Sequence, residues 1–202
     1  MFCGRLLADG ESGVCNRCRL GLPVFSGELP NVRFTSAVCA PFLYEDMVRD
    51  SLLRFKFRGM SQYAEVYGPL LAASVGAHLA DRFDVISWVP VSRKRRRTRG
   101  YDQAYLLAEA AAKSLGGKPE ATLRKRRDNP AQSSRTSAES RRANVVGVYE
   151  AAAPERLAGK RILLIDDILT TGATLSEAAR TLRTAGAADV VGAAFAAAGK
   201  EG

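Results

Sequence analysis

The chain has 202 residues, 47% of them hydrophobic, and carries 30 Lys and Arg against 21 Asp and Glu, a formal net charge of +9. That apolar share supports one moderate domain with a real core and excludes a disordered or fibrous chain. No run of about 18 uninterrupted apolar residues occurs, and the start lacks the apolar core of a signal peptide, so a cytoplasmic protein without membrane insertion is expected.

Residues 1–30 are rich in Gly, Pro and Cys and show little periodicity, which predicts a small arm ahead of a main domain over 31–202. Cys15-Asn16-Arg17-Cys18 is a CxxC pair, and Cys3 precedes it at a distance compatible with a zinc ribbon. The set is one ligand short of four. Cys39 falls in a predicted core strand, where a small buried thiol is the commoner explanation.

Residues 32–44 read as a strand. Val48, Leu52 and Phe55 fall at helical spacing and predict a helix over 46–57, followed by a second over 62–79 and a strand over 84–89 that Pro90 ends. The single His78 lies in the second helix and reads as structural. Arg93, Lys94, Arg95, Arg96 and Arg97, continued by Arg99, read as a basic loop, and a second basic block covers 124–127. Such clusters attract polyanions, whether nucleic acid, pyrophosphate or a phosphorylated sugar. Ala104, Leu107, Ala108, Ala111 and Leu115 then share one helical face, which Gly116 and Gly117 terminate. Residues 125–142 read as mostly loop with one helical turn near Ala138, and 144–149 as a strand.

The last 40 residues are the most regular. Ile162, Leu163, Leu164 and Ile165 form a continuous apolar run, as in a strand buried on both faces of a parallel sheet. Leu175, Ala178, Ala179 and Leu182 mark a helix that Gly186 ends, and Val190 begins a final strand. Strand, helix, strand in this order is a right-handed crossover, so the class is α/β. Asp166 and Asp167 follow the apolar run at its carboxyl end, where open α/β sheets bind ligands. Thr170, Thr171, Gly172, Ala173 and Thr174 come next and lead into the helix. Adjacent carboxylates repel, and vicinal ribose hydroxyls or a divalent cation would offset that. Gly172 lets the backbone come close to a ligand, and backbone N–H groups with three hydroxyls can cradle a phosphate. Two Asp residues flanking a turn, or the acidic pocket of a receiver domain, would not call for the threonine loop behind them.

The run 162–174 resembles the phosphoribosyl pyrophosphate (PRPP) motif of type I phosphoribosyltransferases. The rest of the chain resembles their ComF-like branch through Ala40-Pro41-Phe42-Leu43-Tyr44, Leu53-Arg54-Phe55-Lys56-Phe57-Arg58-Gly59, Val89-Pro90-Val91-Ser92, Arg99-Gly100-Tyr101-Asp102-Gln103-Ala104, Gln132 and Arg141-Arg142-Ala143-Asn144-Val145. The resemblance implies the type I phosphoribosyltransferase fold, a parallel-sheet Rossmann-like core with a small N-terminal zinc-ribbon-like module. It implies that Asp166 and Asp167 hold the ribose hydroxyls, that 170–174 hold the 5-phosphate, and that Val91 and Ser92 meet the pyrophosphate. Residues 93–103 resemble the mobile flap over the site, and Lys56 and Arg99 take the catalytic role of stabilising the departing pyrophosphate with Mg2+. Cys3, Cys15 and Cys18 would hold Zn2+. Asp102 stands where the family usually has Asn, or sometimes Asp, and Ser140 replaces a common Glu before Arg141. The function implied is transfer of a phosphoribosyl group to an unidentified acceptor. A second reading is an accessory protein of natural transformation that binds single-stranded DNA, or a DNA-uptake helicase, with PRPP as regulatory ligand. A third is a ligand-sensing module without turnover. Homo-oligomer formation fits any of the three.

Overall fold

The apolar run 162–165 falls in the strand at the centre of the sheet. In the computed structural model, which describes residues 1–5, 7–126 and 147–199, β6 (Arg161–Leu169) pairs in parallel with β7 (Asp189–Ala197) on one side and β3 (Val85–Trp88) on the other. β1 (Ala37–Cys39) and β2 (Phe42–Leu43) both pair in parallel with β7 along its other edge. The predicted strand over 32–44 is therefore two short pieces. Pro41 lies between them, and it lacks the N–H a continuous ladder would need.

Helices cover both faces, as a parallel sheet requires. Alternate residues of β6 go to opposite sides. Leu163 and Ile165 face α2 (Asp46–Phe57), α3 (Ala64–His78) and α5 (Gln103–Ser114), while Ile162 and Leu164 face α6 (Ala173–Thr184). The helix predicted over 46–57 appears with those bounds, and the one predicted over 62–79 runs Ala64–His78, opened by a 3-10 turn, Ser61–Tyr63. α3 and α5 cross closely at Gly68, where a Cβ would lie 2.4 Å from the Ala110 Cβ. The residues before β1 include α1 (Asn16–Gly21) and share the first core. Phe2 is 1% exposed and stacks on Phe195 with ring centroids 6.4 Å apart. His78 is exposed at the end of α3.

Three expectations need correction. The arginine run is a helix, α4 (Arg93–Arg99), and not a loop. Ser92 caps it by accepting from the Arg95 N–H at 3.2 Å, arginine is a good helix former, and Gly100 at φ 83° closes it in the left-handed region. A strand at β4 (Leu123–Lys125) was unforeseen. It pairs antiparallel with β5 (Tyr149–Ala151) in a separate two-stranded sheet, and of the strand expected over 144–149 only Tyr149, among the described residues 147–149, lies in a strand. The helical turn near Ala138, Gln132, Ser140 and the resemblance at 141–145 lie outside the described residues.

Candidate functional site

β6 runs past the end of β3, and this overhang makes the site. β3 ends opposite Ile165, where Val89 donates its N–H to the Ile165 carbonyl at 2.9 Å. Asp166 and Asp167 lie beyond that point in the carboxyl-terminal half of the strand, which β7 continues to pair as far as Leu169. The overhang borders a cavity of about 510 Å³. Lys56, Val91, Arg95, Arg99, Asp166, Asp167, Thr170, Thr171, Ala173 and Thr174 all line it, drawn from α2, the segment after β3, α4, the end of β6, the loop behind it and the start of α6.

The acid pair is tightly organised. The Asp167 N–H donates to Asp166 Oδ1 at 2.8 Å, and Lys56 Nζ sits 2.9 Å from Asp167 Oδ1. Burial, then the neighbouring Asp167 charge, pushes the Asp166 carboxyl up to about 7, with Lys56 opposing. Acids held that far from their ordinary range cluster at functional sites. Oxygen donors of this kind suit a hard cation such as Mg2+.

On the far side of the loop, α6 starts at Gly172 with φ 74° and no side-chain cap, which leaves first-turn N–H groups for an anion. Ala173 N–H lies 3.4 Å from Thr171 Oγ1. A Cβ on Gly172 would meet the Asn31 carbonyl oxygen at 3.0 Å, so the loop is packed from behind as well as twisted.

Asp102, whose role the sequence left open, is a clasp. It accepts from the Val91 N–H at 3.1 Å and the Tyr105 N–H at 3.2 Å, capping α5 and fixing the 89–92 segment. Burial raises its pKa. The two bonds go to different oxygens, so an Asn in this pose, with one acceptor oxygen and an NH2 donor, would accept only one of them.

The other members of the basic run separate. Arg93, Arg96 and Ser92 line a neighbouring groove of about 710 Å³ with Trp88, Arg124 and Arg126, while Lys94 and Arg97 are exposed and line neither hollow. The two hollows share Pro90, Val91 and Lys125. Tyr44, Lys125 and Tyr149 are cavity residues that sequence reasoning missed. Lys125 Nζ lies 5.3 Å from the Tyr149 ring centroid, so the β4–β5 pair lines the cavity with an aromatic and a cation. The basic block at 124–127 was the available signal for Lys125.

In the N-terminal arm the Sγ atoms of Cys3, Cys15 and Cys18 lie within 4.8 Å of one another, with 3.8 Å between Cys3 and Cys15. Thiolates about 2.3 Å from a tetrahedral Zn2+ would be roughly 3.8 Å apart. The Cys18 backbone N–H, then Arg5, pulls the Cys15 thiol down to about 6, while burial pushes Cys18 up to about 11. Cys39 is not part of this cluster and is 2% exposed in β1.

Comparison with known proteins decides the family. The phosphoribosyl transferase domain matches residues 102–202, half of the chain. The DNA utilization protein YhgH of Escherichia coli O157:H7 is 30% identical over 221 residues, covering 94% of this chain and 92% of that protein. The chain belongs to the ComF-like branch of the phosphoribosyltransferase family. Competence protein ComFC of Bacillus subtilis (strain 168) is 33% identical over 73% of the chain, and ComFC of Streptococcus pneumoniae (strain ATCC BAA-255 / R6) 32% over 75%. The matches span 58% and 64% of those two proteins. For a ComF-like chain the parallel sheet and the helices on both faces are the type I phosphoribosyltransferase fold, and among the described residues no helix is long and apolar enough to cross a membrane.

Proposed function

We propose that the chain binds PRPP with Mg2+ in the 510 Å³ cavity and transfers its phosphoribosyl group to an acceptor. One observation carries this reading. An acid pair (Asp167 buried, Asp166 half-buried), an uncapped helix start with three threonines, and the cations Lys56, Arg95 and Arg99 line a single hollow. A sugar with hydroxyls, a phosphate at one end and a pyrophosphate at the other needs those three environments together. Asp166 and Asp167 accept hydrogen bonds from the ribose hydroxyls. Thr170, Thr171, Thr174 and the α6 N–H groups hold the 5-phosphate. Lys56, Arg95, Arg99 and the 91–92 segment receive the pyrophosphate, whose departure leaves an electron-poor C1 for the acceptor to attack. Mg2+, when bound, neutralises part of the leaving group's charge. Lys56 Nζ sits 2.9 Å from Asp167 Oδ1, so a ribose hydroxyl that bonds Asp167 competes with Lys56 and frees it toward the pyrophosphate.

Turnover is tested by Mg2+-dependent release of pyrophosphate from PRPP in the presence of mixed bases and amines. Release by the wild-type chain is expected. Saturable PRPP binding without release under any acceptor would favour ligand sensing over transfer.

A second reading is DNA handling. The 710 Å³ groove presents Arg93, Arg96, Arg124, Lys125 and Arg126 around Trp88, a pattern suited to phosphates on cations and a base on an indole. The relatives' names, competence protein and DNA utilization protein, fit it. Trp88 is the chain's single tryptophan, so its fluorescence reports the groove. An oligo-dT strand is expected to quench it, with affinity that falls steeply with salt and drops in Arg93→Gln/Arg96→Gln. Quenching insensitive to both would count against this groove.

The arm's three thiols supply three ligands of a structural Zn2+ site. About one zinc per chain is expected by metal analysis, and Cys15→Ser/Cys18→Ser is expected to lose it. A zinc-free wild-type chain purified without chelator would refute the site.

A further inference from the structure

The last turn of α2 sends three consecutive side chains in three directions, as 100° per residue dictates. Phe55 enters the core against Tyr101, with ring centroids 5.9 Å apart, and its carbonyl accepts from the Tyr101 hydroxyl. Lys56 reaches Asp167. Phe57 stays on the surface, 62% exposed, with the Arg99 guanidinium 4.9 Å from its ring centroid. A ring that exposed contributes little to the core, and its ring contact is with Arg99.

Arg99 is held from another side too. Its Nη1 donates to Gln103 Oε1 at 2.9 Å. Gln103 is fully buried, and its Nε2 has no hydrogen-bond partner among the described residues. A buried amide with an unmade donor is a costly choice for filling space. Its oxygen serves Arg99. The guanidinium thus has a π face on one side, an amide acceptor along one edge, and the Asp167 charge near enough to be felt.

From this geometry we infer that Phe57 is a positioning residue. Together with Gln103 it clamps Arg99 in the orientation that meets the pyrophosphate, and it touches no ligand itself. This rests on the PRPP reading of the cavity. An unclamped arginine would have to lose its side-chain freedom at the moment of binding, so a pre-set one raises affinity for the leaving group. The same turn then delivers both cations, Lys56 directly and Arg99 through Phe57.

The test compares wild type, Phe57→Ala, Phe57→Tyr, Arg99→Gln and Phe57→Ala/Arg99→Gln by calorimetric titration with Mg2+–PRPP, and by NMR of the Arg99 Nε–Hε group without ligand. Phe57→Ala is expected to weaken binding by about 2–5-fold with thermal stability unchanged. Phe57→Tyr should restore it, and the Phe57 effect should vanish when Arg99 is already Gln. In the spectra, Arg99 should be ordered in wild type and averaged in Phe57→Ala. Equal affinity in Phe57→Ala, or an undiminished loss in the Arg99→Gln background, would overturn the inference. If wild type fails to bind PRPP, the reading of the cavity falls. The clamp is then decided by the spectra alone, where unchanged ordering of Arg99 in Phe57→Ala refutes it and ordering lost and regained in Phe57→Tyr upholds it.

Discussion

Asn at both Asp166 and Asp167 is expected to weaken Mg2+–PRPP binding by on the order of 100-fold or more. Hydrogen bonds to a charged acceptor are worth about 1.5–3 kcal/mol each, and two such acceptors disappear together. The single change Asp166→Asn should do something less obvious to the empty protein. In the folded chain the Asp166 carboxyl is pushed up to about 7 from its ordinary 3.8 by burial and by Asp167. The folded state therefore holds a proton that the unfolded state releases. The stability this adds is full below about 3.8 and lost as pH rises through about 7. Asp166→Asn removes the buried charge, so at pH 8 the ligand-free variant should be more stable than wild type, by on the order of 2 kcal/mol. Binding has the opposite sign. Ligand hydroxyls and a cation need the ionised pair, so wild-type affinity should fall as pH drops below about 7, by up to about tenfold per unit. Thermal unfolding of both forms at pH 5 and pH 8, with and without ligand, reads all three effects. A stability loss at pH 8 in Asp166→Asn would contradict the assigned charge state.

Gly68→Ala should lower stability, and the sign is what makes it informative. Within a helix, Gly to Ala ordinarily gains about 1 kcal/mol. Here the new Cβ would lie 2.4 Å from Ala110 Cβ and 2.5 Å from the Ala110 carbonyl carbon, where α3 and α5 cross. Backbone cannot step aside cheaply, and overpacking of this kind costs about 1–3 kcal/mol or more. A net loss of about 2 kcal/mol lowers Tm by roughly 4–8 °C in a chain of this size. An unchanged or raised Tm would mean that the two helices are not packed this closely.

Much of this architecture can be read from periodicity. The two-sided burial of β6 is visible in Ile162 to Ile165, and the faces of α2, α5 and α6 follow from their apolar spacing. α4 escaped because a helix with no buried residue has no hydrophobic stripe to read. Its evidence was local and present, Ser92 as cap and Gly100 as stop, and the density of charge drew attention away from it. β4 and β5 are three residues each, too short for alternation to register. They pair across a sequence separation that no local pattern encodes. In the site, the acid pair and the threonine loop were legible because they are contiguous. Lys56 and Arg99 could be named only through the resemblance, and Tyr149 not at all, since its place opposite the acid pair is set by the β4–β5 pairing. Asp102 shows the same limit. Its type was plain, and its two backbone partners, Val91 and Tyr105, emerge only once α5 has folded against the 89–92 segment.

The central claim is that the cavity over Asp166 and Asp167 is built for PRPP, and thermal unfolding of the wild-type chain with PRPP and Mg2+ tests it most directly. At about a hundred times the dissociation constant a one-site ligand adds roughly 2.7 kcal/mol, which is on the order of 5–10 °C in Tm here. A rise of that size is expected with PRPP and Mg2+ together and not with Mg2+ alone. A folded, zinc-loaded chain whose Tm does not move at saturating PRPP would contradict the claim and leave the basic groove around Trp88 as the functional surface.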